Sequence, residues 1–165
     1  MYSLTNFNLL LTLLLTGLTA GLCFTWTNAV TPGIGKLDDY NFLSAFQQMN
    51  RSIINPSFLL VFFGPLVGHI INVYVNRFTL DKSFWLYVTA AILYLTGLVI
   101  VTITKNVPLN ELLESTDLTQ ASQQELSWLR RQFEKPWNTW HNIRTLTSTL
   151  SFLLLALGML LKNNA

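Results

Sequence analysis

The chain has 165 residues, of which 51% are hydrophobic and 11% charged, with a formal net charge of +2. Soluble domains carry about 25% charged residues, so this composition points to a membrane protein rather than a soluble one. A net charge this small, with no basic run, argues against nucleic acid as a partner, and one cysteine excludes an internal disulfide.

The first charged side chain is Lys36, and further uncharged stretches run from Ser52 to Asn76, Ser83 to Thr104 and Thr145 to Leu161. A membrane-spanning helix needs about 17 to 25 mostly apolar residues. The pattern therefore predicts four spans, at 6–26, 57–76, 84–104 and 145–161. The first is read as a span rather than a signal peptide, because no basic segment precedes its apolar stretch and that stretch exceeds the usual length of about 7 to 15 residues. Within it, Gly17 and Gly21 form a small-xxx-small pair, as Gly64 and Gly68 do in the second span. Such pairs let helix backbones approach closely, inside a bundle or between copies of a homo-oligomer. Cys23, also in the first span, reads as a small buried hydrophobe.

The first connection, Thr27 to Pro56, contains an amphipathic helix with Phe42, Ala45, Phe46, Met49 and Ile53 on one face and Ser44, Gln47, Gln48 and Arg51 opposite. Asn55-Pro56 ends it before the second span. That span carries a polar stripe of His69, Asn72 and Asn76 at spacings of three and four. A membrane-buried ionisable residue is a functional candidate by default, although a neutral histidine bonded to a neighbouring helix is the commoner case. The two histidines fall near opposite ends of the bundle, and no metal-ligand spacing occurs, so no metal site is expected.

The second connection, around Arg77 to Lys82, is short. The third, Lys105 to Arg144, is predicted to be the longest, about 40 residues. In it, Ser122-Gln-Gln-Glu125 is a capping box opening a helix with Leu126, Leu129 and Phe133 on one face. Glu134-Lys135-Pro136 is predicted to end that helix, with Pro136 starting the fourth span. The expected fold is an all-α, integral membrane four-helix bundle in one domain, with two long same-side loops carrying short amphipathic helices. Arg77, Lys82 and Lys162 in the short loop and tail favour both termini inside the cytoplasmic membrane and both long loops outside.

The fourth span opens with Trp137-Asn-Thr-Trp140-His141-Asn142-Ile-Arg144. Tryptophans and an arginine at a helix start suit a membrane-interface belt. The same end of the bundle also gathers Trp26, Asn28, Asn50, Arg51, Asn55, Asn106 and Asn110. So many carboxamides fit a polar-aromatic pocket for a small aromatic or lipid-like ligand better than a belt.

Trp26-x-Asn28, Phe46-Gln-Gln-Met-Asn-Arg-Ser-Ile-Ile-Asn-Pro56, Asn106-x-Pro108-x-Asn110 and Trp137-x2-Trp140-x3-Arg144 occur in order at the helix ends. With these motifs nearly the whole chain resembles the anthrone oxygenase-like family of small four-span membrane proteins. The resemblance implies a monooxygenase that takes an electron-rich aromatic or phenolic substrate to its oxidised form without a cofactor. Such chemistry needs a general base, donors for a developing oxyanion and a flat aromatic slot. His141 suits the base, with Asp38 and Asp39 as alternatives. Arg144 and Arg51 suit the oxyanion, helped by Asn28, Asn50 or Asn142, and Trp26, Trp137 and Trp140 suit the slot. The other reading is a non-catalytic membrane protein that binds a lipid or quinone, or an assembly subunit.

Overall fold

A computed structural model describes residues 4–163. It is all-helical, and four of its helices are long and apolar enough to cross a membrane: Leu4–Ile34, Pro56–Asn76, Lys82–Glu114 and Gln123–Lys162. The protein is an integral membrane helical bundle. The first crossing consists of α1 (Leu4–Thr25), a π-helical turn (Trp26–Val30) and α2 (Thr31–Ile34). A surface helix, α3 (Asp39–Ile53), follows, capped by the Asp38 side chain, which accepts from the Asn41 backbone N–H. The second crossing, α4 (Pro56–Asn76), opens on the Asn55 cap. The third runs through α5 (Lys82–Ile92), two π-helical segments (Leu93–Ile100 and Thr102–Asn106) and α6 (Val107–Glu114). The fourth is one helix, α7 (Gln123–Asn163).

The third connection is therefore much shorter than the sequence suggests. Helix continues to Glu114 and resumes at Gln123, leaving only residues 115–122 between them. The predicted break at Pro136 does not occur either; the proline lies inside α7. A proline removes one helical N–H and so strands the carbonyl four residues earlier. Here that residue is Gln132, which is exposed, so water can take the place of the missing donor. The capping box is present, with the Ser122 N–H donating to Glu125 at 2.7 Å and Ser122 Oγ accepting from the Glu125 N–H.

Lipid is as apolar as a leucine side chain, so close packing and polar contacts, not hydrophobic burial, hold the spans together. On the side away from the loops, Asn8 Nδ2 donates to Asn72 Oδ1 at 2.8 Å, and Asn72 Nδ2 donates to Thr12 Oγ1. Lys162 donates to Asn76 Oδ1, and Ser151 to the Ala90 carbonyl. Gly68 lies against Thr12, Gly64 against Leu15 and Gly17 against Phe152, so three of the four paired glycines are used within the chain; Gly21 faces open space.

The α4 proline has a structural consequence. Pro65 deprives the Val61 carbonyl of its helical donor, and Thr19 Oγ1 from α1 supplies one at 2.8 Å. Thr19 also lies 3.3 Å from the Tyr94 hydroxyl, which donates to the Phe62 carbonyl. This knot of α1, α4 and the third crossing closes the bundle midway, beneath the loop-side end.

Candidate functional site

Above that knot the helices separate around a cavity of about 430 Å³. The loop-side cap that covers it has its own core, built from Phe42, Leu43, Phe46, Leu113, Leu126, Leu129, Phe133 and Trp137. Gln47, expected on the solvent side of α3, is buried, and its amide donates to the Leu113 and Thr116 carbonyls. Carbonyls at the end of α6 have no helical donors, and that need overrides the apolar pattern of α3. The other end of α3 is held by Arg130, a residue with no role in the sequence reading. Its guanidinium donates to the Gly35 and Leu37 carbonyls and pairs with Asp39 and Glu134, while lying over the Phe42 ring.

The cavity walls come from five helical regions. Trp26 and Cys23 descend from the first crossing, Asn50 and Arg51 from α3, Phe58 and Phe62 from α4, and Asn106 and Asn110 from the third crossing. From α7, Trp137, His141 and Arg144 recur at four and three residues, which places them on one inward face. Of the sequence candidates, Trp26, Asn50, Arg51, Trp137, His141 and Arg144 thus line one space. Asn28, Asn55, Trp140 and Asn142 do not line it. Asn55 caps α4, Asn142 faces Thr27, and Trp140 lies against the Lys105 ammonium at 5.0 Å. Asp38 is occupied as a cap, and Asp39 pairs with Arg130. Thr102, Glu111 and Glu114 also line the cavity and carried no site signal in the sequence.

The aromatic wall is continuous. The Trp137 and His141 rings stack at 4.7 Å and 13°, and Trp26 packs against both. Trp137 Nε1 donates to Asn110 Oδ1 at 2.8 Å, and Asn106 Nδ2 donates to the Trp137 carbonyl, fixing α7 against the third crossing. His141 Nε2 lies 3.0 Å from the Cys23 carbonyl. A carbonyl can only accept, so Nε2 carries the hydrogen and the neutral ring presents an unprotonated Nδ1. Cys23 sits in the last turn before the π-helical Trp26–Val30, where bonding shifts from four to five residues. Its carbonyl also accepts from Thr145.

The satisfaction of polar atoms separates this site from the rest of the bundle. Among the described residues, six buried side-chain polar atoms have no partner, and four belong to residues lining this cavity: Asn50 Nδ2, Asn106 Oδ1, His141 Nδ1 and Arg144 Nε. Two are donors and two acceptors. Arg144 is only 9% exposed, yet none of the three ion pairs among the described residues includes it. Arg51 differs, pairing with Glu114 at 2.7 Å on the exposed rim. The belt alternative thus gives way for Trp137 and Arg144, which face inward, away from the headgroups.

A model of the anthrone oxygenase family matches residues 58–154, more than half of the chain. The chain belongs to the anthrone oxygenase family. The matched stretch of this family member includes Asn106, Trp137, His141 and Arg144, while Trp26, Asn50 and Arg51 lie before it. No curated protein and no solved structure matches the chain significantly.

Proposed function

We propose that the protein is a membrane oxygenase that converts an anthrone-like or other electron-rich phenolic methylene compound to the ketone with dioxygen. The observation that carries this reading is the set of four unpartnered polar atoms in one apolar, aromatic cavity. Buried polar atoms are almost always bonded, so a cluster without partners fits a ligand that supplies them.

His141 Nδ1 takes a proton from the substrate methylene, made acidic by conjugation through the aromatic rings to the carbonyl across the ring. The resulting enolate oxygen accepts from Arg144 and Asn50, while Trp26 and Trp137 bound the slot for the flat ring. Because the enolate is electron-rich, it reduces dioxygen directly and forms a carbon-bound peroxide anion. His141 returns its proton to that anion, and the hydroperoxide loses water to leave the carbonyl. One dioxygen and one methylene thus give one ketone and one water, with no external reductant. Arg51, joined to Glu114, belongs to the rim in this reading, and Asn106 Oδ1 accepts from a phenolic hydroxyl of the substrate.

The test is oxygen uptake by chelator-treated protein in detergent with a simple anthrone. Uptake above the spontaneous rate that is lost in Arg144→Ala supports the reading. Uptake no faster than the spontaneous rate, across anthrones and related phenols, overturns it.

A further inference from the structure

The cavity is polarised. Its floor holds a buried cation with no carboxylate partner, whereas Leu22, Ile53, Ile54, Phe58 and Phe62 form an apolar side. Ile54, at the corner between α3 and α4, is 71% exposed, and Leu22 and Phe58 are half-buried. They continue into the outward faces of α1 and α4, where Leu18, Leu59 and Phe63 are exposed to lipid. The charged rim pair, Arg51 and Glu114, lies on the α3–α6 side. One side of the cavity is therefore apolar and continuous with the lipid-facing surface.

Depth supports the same conclusion. Arg144 immediately precedes the uncharged stretch Thr145 to Leu161, so it sits level with the edge of the hydrocarbon. The carboxyl groups of membrane-dissolved fatty acids rest at that depth, because their charge stays at the interface while their chains lie in the bilayer. An unpaired buried cation carries a large desolvation cost that a mobile anion relieves.

We infer that the cavity binds a long-chain carboxylate from the surrounding membrane, its head on Arg144 and Asn50 and its chain leaving past Leu22, Ile54 and Phe58. Such a lipid occupies the space that the proposed oxygenase substrate needs, and so inhibits competitively. The inference shares with the oxygenase reading the assignment of Arg144 as an anion site, but it does not depend on turnover.

Trp26 and Trp137 line the cavity and report its occupancy. The experiment is quenching of tryptophan fluorescence in nanodiscs by a brominated stearic acid, with its methyl ester as the uncharged probe. Saturable quenching by the acid at least tenfold tighter than by the ester is expected, lost in Arg144→Gln and retained in Arg144→Lys. Equal quenching by acid and ester, or by acid in the wild type and Arg144→Gln, overturns the inference. A parallel oxygen-uptake assay separates the two readings. Carboxylate binding without turnover leaves this inference standing and sinks the oxygenase, whereas turnover that saturating stearate leaves unchanged does the reverse.

Discussion

The two ends of the bundle use the same residue types for opposite ends. Away from the loops, Asn8, Asn72, Asn76, Thr12 and Lys162 satisfy one another across helices. On the loop side, Asn50, Asn106, His141 and Arg144 each keep one polar atom unbonded. The histidines show the contrast within one residue type. Each leaves its Nδ1 unbonded, but His69 does so deep in packed helix, with Nε2 3.4 Å from Ser151 Oγ and its ring against Tyr94, whereas His141 lines open space. Residue identity therefore does not distinguish glue from chemistry in a membrane bundle; whether an unbonded polar atom faces open space does.

The largest effect that would break this contrast is at His141. His141→Ala is expected to lower turnover of an anthrone by about 10²- to 10⁴-fold, the range for loss of a general base. His69→Ala should leave turnover per folded molecule within about twofold, and a loss at His69 equal to that at His141 would erase the distinction. Next, Arg144→Leu is expected to cost about 10²- to 10³-fold in turnover, as for removal of an oxyanion donor. Its resistance to unfolding in a denaturing-detergent titration should equal or exceed the wild type, because an unpaired buried charge is removed.

At the packed end the pattern inverts. Asn72→Leu is expected to lose about 0.6 to 2 kcal/mol of stability, the span measured for interhelical hydrogen bonds in membranes, while substrate affinity stays unchanged. Gly68→Ala sharpens the point, since an added methyl collides with Thr12. Overpacking of that kind costs about 1 to 3 kcal/mol, read in the same titration.

The smallest effect concerns the cap. Bonds from Asn41 hold the Asp38 carboxyl below its ordinary pKa. A depressed folded value means its contribution is complete above the unfolded value of about 3.9 and fades as pH falls through the folded one. Tryptophan emission from the cap should therefore stay constant from pH 8 to 5 and change only in stronger acid. Asp38→Asn, which keeps a capping oxygen, should shift it little.

Much of this architecture was legible in the sequence, because length and lack of charge define spans and Ser122, Glu125, Asn55 and Phe46 mark helix ends and faces. Helix continuity was not. Pro136 reads as a break, yet the carbonyl it strands belongs to an exposed residue, and exposure is a tertiary fact. Gln47 reads as a solvent-facing amide until the end of α6 is placed beside it. For the site, helical spacing grouped Trp137 with Arg144 but could not decide which way that face turned. Trp140, three residues after Trp137 and four before Arg144, fits the same spacing and yet faces Lys105. Arg130, Glu111 and Glu114 stayed hidden because charged residues in a polar stretch look alike until their partners are known.

The unbroken α7 has one more consequence. Its 41 residues, at 1.5 Å each, make a rod about 60 Å long, twice the thickness of a hydrocarbon core of about 30 Å. The same rod anchors Leu155 among the far-end spans and Phe133 in the cap. The height of the cavity relative to the hydrocarbon is thus set by helix rather than by a hinge. A thin bilayer leaves that cavity in contact with water, and a thick one draws it toward the acyl chains. Membrane thickness becomes a variable of the site's chemistry, adjustable by lipid chain length with no change to the protein.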